Sequence, residues 1–512
     1  MPRRISKTKI LERERETMKT NLRPFVLSLA MIAGIIFAGC KNSPSGGITP
    51  DSVALTTAIE ETTEAKPSHY EADYLPDAKY GGYEFRMVAP SGYGYAYMQF
   101  FADVEQETGD VLADAIYKRN RTIEQRYDIS IKQIEARDYA HLTSIFQKSA
   151  NAGTDDFDLC MLISRDAWSM ALEGKLLDVN KLPYLDISKP WYSHEVNSEI
   201  SVNGKMYFAY SDECLNMFTQ TVGIMFNKDL VQKLDLENMY NLVKDNKWTM
   251  DKFFALSKAA TADIDGNGVM DDADRYGIVS EGYGVYPSFW VSSGIKTVSK
   301  DENDLLVFTG NNEKLYNILE TTYQNIFGGA KIFFDSASKS TANGYFPGYQ
   351  FENELGLFFV VGIGYIGTLR AMETDFGVLP FPKCDEKQEK YYSRVIDAWI
   401  NCVPIGCTNL ERTSVIMESL AVESKNITVP AYYEVAVRTK YARDEESQDM
   451  LEIIHDNMTM DLGDTFYMDA VRNVYMGVFG KKDNHFASAV EKSTPAINKI
   501  LEKTNNAALA LD

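Results

Sequence analysis

The chain has 512 residues, 45% hydrophobic and 24% charged, with 33 Gly and 16 Pro. That composition excludes a disordered or collagen-like chain and leaves room for up to about three domains. Its 52 Lys+Arg against 73 Asp+Glu give a net charge of −21, which argues against general nucleic-acid binding because a polyphosphate backbone would be repelled.

Residues 1–39 hold eight Lys/Arg against three Glu, and Pro24 to Gly39 carries no charge. A basic start, a short apolar run and small residues before Cys40 are the parts of a secretory signal. The run is too short to span a membrane as a helix. Phe37-Ala38-Gly39-Cys40 resembles a bacterial lipobox, with Phe37 in place of the usual Leu. The expectation is a signal peptide over 1–39, with Met18 a plausible true start, and lipidation (palmitate) at Cys40. The mature protein would then be held on the outer face of the cell membrane by its lipid anchor. Residues 40–79 begin with a stretch rich in Ser, Thr, Pro, Gly and Glu, which reads as a flexible linker, with order starting near Gly82.

From there the elements alternate. Tyr83–Pro90 reads as a strand, 109–129 as an amphipathic helix, Ile129–Ala136 as a strand, and a helix ends at Gly153. Phe157–Ser164 is a strand, followed by a helix over 167–179. This β-α repetition predicts a mainly parallel sheet wrapped by helices. Lys189–Glu213 is aromatic and extended. GIMFNKDLVQKL changes from strand to helix near Asp229, and Thr249 caps a helix carrying Phe253, Phe254, Leu256 and Ala260 on one face. Leu355–Gly367 reads as a buried strand and turn rather than a membrane span.

Several segments in order carry a resemblance: the lipobox, ETGDVLADAIYKRNRTIEQRYDI, FDLCMLIS with LEGKLLDV, NGKMYFAYSDE with GIMFNKDLVQKL, WTMDKFFALSKAAT, GVLPFPK, and AYYEVAVRTKYARDEES. Together they resemble the extracellular solute-binding proteins of bacterial ABC importers, family 1-like and of the carbohydrate type. The resemblance implies an α/β, two-lobed periplasmic-binding-protein-like (type II) fold with a hinge and an interlobe cleft. It implies a binding protein, not an enzyme, that delivers a carbohydrate to the permease subunits of an ABC transporter. Laid on this chain, one lobe covers about 80–210 and 335–398, the other about 211–334 and 399–512. Ala209–Glu213 and Ile396–Gly406 are the hinge candidates. A glycan hydrolase or a glycan-binding adhesin at the cell surface remains the alternative.

Ligands of such a fold sit beyond the carboxyl ends of the strands. Aromatics and polar groups gather at such places: Tyr93, Tyr95 and Tyr97; Arg165 and Asp166 with Trp168; Asp212 and Glu213; Tyr283, Tyr286, Phe289 and Trp290; Gly364 and Tyr365; Tyr432 and Tyr433. Flat aromatics can stack on the C–H faces of sugar rings while carboxylates and guanidinium groups bond the hydroxyl rim. Of these, Tyr93, Tyr95, Arg165, Trp168, Asp212, Trp290, Gly364, Tyr365, Tyr432 and Tyr433 are the expected ligand contacts.

The segment DIDGNGVMDDAD places Asp263, Asp265, Asn267, Val269 (through its carbonyl), Asp271 and Asp274 at positions 1, 3, 5, 7, 9 and 12 of a calcium loop, with Gly268 at position 6. A single structural Ca²⁺ is expected, or else an acidic solvated loop. No catalytic cofactor is expected. Gly362-Ile-Gly364-Tyr-Ile-Gly367 matches a dinucleotide-binding fingerprint formally but reads as a strand-to-helix turn. No catalytic motif built on the five His stands out. Among the Cys, Cys402 and Cys407 are a possible bridge, and the others read as buried apolar residues.

Overall fold

The computed structural model describes residues 69–90, 103–336, 346–437 and 445–511. Cys40 and the leader, Tyr93, Tyr95 and Tyr97 lie outside them. Two sheets organise the chain. The first holds β1 (Tyr83–Pro90), β2 (Ile129–Ala136), β3 (Leu159–Ile163) and, last in sequence and at the sheet's edge, β10 (Trp399–Cys402), in the order β10-β3-β1-β2. The second holds β4 (Val222–Asn227), β5 (Tyr276–Ser280), β6 (Phe333–Asp335), β7 (Gly356–Gly362) and β8 (Phe376–Leu379), in the order β8-β4-β7-β5-β6.

One strand in each sheet runs against its neighbours. β4 is antiparallel to both β7 and β8, and β10 is antiparallel to β3. These are the first strands laid down after the chain crosses from one sheet to the other. A chain arriving at the carboxyl edge of a parallel sheet must run away from that edge, so the reversal marks where the crossings enter. The crossings lie side by side: Thr221 bridges Val395, Phe208 bridges Cys402, and Ile396 N–H donates to Gln220 O at 3.3 Å. The chain therefore passes between the sheets over 209–221 and 395–398; the expected segments Ala209–Glu213 and Ile396–Gly406 overlap these crossings, but Trp399–Cys402 is a strand of the first sheet.

The expected division of the lobes needs correction. β7 and β8, within 335–398, join the second sheet, and Trp399–Cys402 joins the first. Helix Leu410–Glu423 also packs with the first sheet, its Val415, Ile416, Leu420 and Ala421 sharing a core with Phe85, Met87 and Ile131. The sequence reading missed the second return because an apolar strand such as Gly356–Gly362 carries no signal of which sheet it joins.

Local chemistry sets most boundaries. α1 (Val111–Tyr127) starts at Asp110, whose carboxylate accepts from Leu112 and Ala113 N–H, and ends at Asp128 in the left-handed region, φ 51°. α2 (Tyr139–Ala152) is capped by Asp138 and stopped by Gly153, φ 64°. Thr249 caps Met250–Ala260 as its sequence implies, a contact worth about 1 kcal/mol. The helix after β3 is shorter than expected: α3 (Ser164–Leu172) stops before Gly174, φ 70°. Lys189–Glu213 is extended apart from a short helix, His194–Glu199. The segment after Gly362 winds into a 3₁₀ helix, Ile363–Ala371, rather than an α-helix.

Order also begins earlier than the composition suggested. Ala72 and Leu75 are buried, Tyr70 N–H donates to Asn426 Oδ1 at 2.9 Å, and the Tyr74 hydroxyl donates to Glu418. Glu418 is buried and also accepts from Trp191 Nε1 at 2.9 Å and the Tyr192 hydroxyl at 2.6 Å. The end of the expected linker is thus a strap across the first lobe. A hydrogen-bond partner for a distant buried carboxylate is invisible to local composition.

Candidate functional site

The crossing geometry identifies the edge of each sheet that faces the hinge: the carboxyl ends of the parallel strands. At the end of β3, Arg165 and Asp166 open α3. Between β9 (Ser393–Arg394) and β10, Asp397 sits on the crossing itself. Arg165 Nη1 pairs with Asp397 Oδ2, and both side chains keep some exposure, 32% and 19%. The other carboxylate oxygen, Asp397 Oδ1, is buried with no hydrogen-bond partner among the described residues. Burial pushes the Asp397 carboxyl up to about 6, against the pull of Arg165. A hydrogen bond from Ser164 also lowers this carboxyl, and the polar group this pair offers at the surface is the partly exposed Arg165 guanidinium.

The second sheet contributes an aromatic. Tyr283 follows β5 in helix Gly282–Val291 and is 39% exposed. Its ring lies over the Arg472 guanidinium, 4.4 Å from ring centroid to Cζ, with Arg394 at 5.7 Å, and its hydroxyl accepts from Arg472 Nη1 at 3.1 Å. Arg394 is fully buried and forms a forked pair with Asp464: Nε to Oδ2 at 2.6 Å and Nη2 to Oδ1 at 3.0 Å. Arg394 Nη1 also donates to the Tyr283 and Gly284 carbonyls at 3.2 and 3.3 Å. The buried pair therefore fixes the turn that presents Tyr283. Arg394 stands three residues before Asp397 on the same crossing, which links the two groups of residues along the chain.

Glu281 and Asp335 stand at the ends of β5 and β6. Burial, then the charge of Asp335, raises the Glu281 carboxyl, and Asp335 accepts from Gly282 N–H at 3.3 Å. This edge thus combines one exposed aromatic face, guanidinium groups and carboxylates.

The sequence-predicted residues divide sharply. Arg165 lies at the edge. Trp168 is 4% exposed and packs in the core against Phe466, centroids 5.0 Å apart, donating to the Tyr467 hydroxyl at 3.1 Å. Trp290 is fully buried and donates to Asp461 Oδ2 at 3.2 Å. Tyr286 stacks on Phe479 at 4.2 Å, and Phe289 is buried. Tyr365 is buried against Phe359, and Gly364 sits in the 3₁₀ turn beside it. Tyr432 is buried on Phe218, centroids 5.2 Å apart; Tyr433 lies beside it, near His455. All these aromatics except the half-buried Tyr433 serve packing, because a large apolar ring next to a strand end finds core more readily than solvent. Asp212 is tied up in a cluster with Lys425 Nζ at 3.1 Å and His455 Nε2 at 3.4 Å, and Glu213 is buried, accepting from Asn401. Asp397, Glu281, Asp335 and Arg472 were missed. The first three follow strands or a hinge and could have been found from that position; Arg472 had no local signal.

The acidic loop folds as a run of tight turns. Asp263 accepts from Gly266 and Gly268 N–H, both at 2.7 Å, and the latter bond chiefly lowers its carboxyl. Gly266 and Gly268 take φ 70° and 82°. The carboxylate oxygens of Asp263, Asp265 and Asp274 lie within 4.8 Å of one another. Asp274 is buried, accepting from Ile264 and Asp271 N–H at 2.8 and 2.9 Å. Asn267 and Asp271 are turned to Val269 and Ala273 N–H. The three clustered carboxylates fit a hard, oxygen-seeking cation.

Cys402 and Cys407 are both free thiols. Cys402 faces the core that spans both sheets, and Cys407 faces the separate core of the first lobe, so they lie on opposite sides of the sheet. Among the described residues, no helix is long and apolar enough to cross a membrane.

Over residues 119–449 the sequence matches the profile of a family described as bacterial extracellular solute-binding protein. No curated protein matches the chain. Among solved structures, a cyclo/maltodextrin-binding protein complexed with maltotetraose aligns at TM-score 0.55 and 13% identity, over 86% of this chain and 99% of that one. An ABC substrate-binding protein from Listeria monocytogenes in complex with cycloalternan aligns at 0.52 and 15%, over 82% and 99%. The GacH receptor of Streptomyces glaucescens, solved unliganded and with acarbose, aligns at 0.53 and 13%, over 82% and 99%. The shared fold is the two-lobed one.

Proposed function

The chain belongs to the bacterial extracellular solute-binding protein family, and from that premise we propose that it captures a carbohydrate between its two sheets and delivers it to an ABC transporter permease. The observation that carries this reading is the exposed Tyr283 ring backed by Arg472, on the same edge as Arg165 and Asp397. The ring offers a face to sugar C–H groups, while the partly exposed Asp397 carboxylate and Arg165 guanidinium would accept from and donate to ring hydroxyls. Carbohydrate ligands in the named structural relatives support the same class.

Binding would draw the lobes together, because contacts to both sheets form only when the hinge closes. The ligand would leave unchanged. A thermal-shift screen of the full chain against maltotetraose, other sugars, amino acids and peptides tests this. Stabilisation by a sugar, through mass action, supports it; stabilisation by peptides alone overturns the substrate class. Glu281, raised by burial and paired with Asp335, favours a second reading, a glycan hydrolase. That reading requires shortened oligosaccharide product that disappears in Glu281→Gln.

The same proposal places a lipid on Cys40 and the body on the outer face of the cell membrane. Incorporation of labelled palmitate, absent in Cys40→Ser, is the expected result. The loop 263–274 would hold one structural Ca²⁺ through Asp263, Asp265 and Asp274. Asp at position 12, where Glu usually gives a bidentate ligand, would weaken it. Addition of Ca²⁺ should raise the melting midpoint of the wild type and leave that of Asp263→Asn/Asp265→Asn unmoved.

A further inference from the structure

β3 and β10 are the strands by which the chain leaves the first sheet and returns to it. Their antiparallel register pairs Cys160 directly with Cys402. Ser164 N–H donates to Ala398 O at 2.8 Å in the same register, and hydrogen-bonded pairs alternate along an antiparallel ladder. Cys160 and Cys402 therefore form a hydrogen-bonded pair, with Cα atoms about 5.5 Å apart. That spacing falls within the range of about 4.4–6.8 Å spanned by disulfides. Directly opposed residues point to the same face, and both thiols are fully buried in the same core. They are near enough for a charge on Cys402 to oppose ionisation of Cys160.

We propose that Cys160 and Cys402 form a disulfide in the exported protein, joining the two strands on either side of the excursion that builds the second sheet. The chemistry balances as thiol–disulfide exchange. One thiol loses its proton and attacks the disulfide of an oxidant, oxidised glutathione or an extracytoplasmic dithiol oxidoreductase, releasing one thiolate. The second thiolate attacks the mixed disulfide, forms the S–S bond and expels the other oxidant sulfur. Two protons and two electrons leave the protein, and the oxidant ends as two thiols.

Timing follows from burial. In the folded chain desolvation raises both thiols well above their usual range, which removes the attacking thiolate. The bond must therefore form while the strands are still accessible, during folding, and is shielded afterwards. The extracellular character of the family supplies the compartment in which such bonds persist. The link lies within one sheet, away from the crossing at Asp397, so it leaves lobe closure free.

The test is refolding of the full chain from denaturant, once in a glutathione redox buffer and once in excess phosphine reductant. Each sample is then alkylated under denaturing conditions and mapped by mass spectrometry. The expected result is a cross-linked 160–402 peptide in the first sample only, with Cys214, Cys384 and Cys407 alkylated in both. The oxidised sample should melt several degrees higher than the reduced one, and Cys402→Ala should melt alike in both buffers. Sugar affinity should agree within about twofold between oxidised and reduced wild type. Alkylation of both Cys160 and Cys402 after oxidative refolding overturns the proposal, as does a bond from either to another cysteine. Equal melting of the oxidised and reduced wild type overturns the stapling role.

Discussion

Two arginine–carboxylate pairs lie close to the same cleft edge and differ in one respect, their access to water. Arg394 and Asp464 are both fully buried and meet through two parallel hydrogen bonds. Arg165 and Asp397 keep 32% and 19% exposure, and one Asp397 oxygen is left without a partner. The first pair is saturated, so it can only hold structure. The second keeps a partly exposed guanidinium, so it is the candidate contact. The same two side-chain types thus divide into scaffold and candidate site according to burial.

The comparison breaks first at the buried pair. Arg394→Ala removes both hydrogen bonds to Asp464 and leaves that buried carboxylate only the longer contact to Arg472 Nη1 at 3.7 Å; it should cost about 3 kcal/mol, read as a loss of stability in urea unfolding. Arg165→Ala should cost under about 1 kcal/mol by the same measurement, since a partly exposed pair gains little. Equal losses would erase the distinction.

Tyr283 sharpens it next. Tyr283→Ala should weaken sugar binding about tenfold, or about 1.4 kcal/mol, while Tyr283→Phe keeps the stacking face and loses only the bond from Arg472. Calorimetric titration of both variants separates face from hydroxyl.

A third outcome concerns pH. The Asp397 carboxyl titrates near 6. On the proposed reading sugar hydroxyls would donate to its ionised form, so affinity should fall several-fold as pH drops below about 6, and Asp397→Asn should flatten that profile.

The smallest effect is at the other end of the hinge. Burial alone would lower His455, but hydrogen bonds to Asp212 and Asp456 outweigh burial and the nearby Lys425, and its pKa is raised. A raised folded pKa means stability present below the unfolded value, about 6.5, and lost as pH climbs through the folded one. His455→Gln should therefore lose little stability in alkaline buffer and more in mildly acidic buffer, as followed by thermal melts.

Much of the first sheet was legible in the sequence because β1 and β2 are each followed by a helix capped by an Asp; Tyr83–Pro90 and Ile129–Ala136 have the predicted bounds. The second sheet's membership was not, since β7 and β8 are apolar runs with no local mark of the sheet they join. The site was less legible still. Position after a strand drew attention to Arg165 and Tyr283, which are partly exposed, but aromatic type drew it equally to Trp168 and Trp290, whose indole N–H groups are satisfied inside the core. Only burial separates a platform from a packing residue, and burial is set by partners hundreds of residues away, such as Tyr467 and Asp461.

Small-angle scattering of the full chain with and without saturating maltotetraose, run beside calorimetry on the same samples, addresses the clamp itself. A bound sugar should shrink the radius of gyration, and the recovered sugar should have its original mass. Calorimetric binding with no contraction would contradict capture between closing lobes.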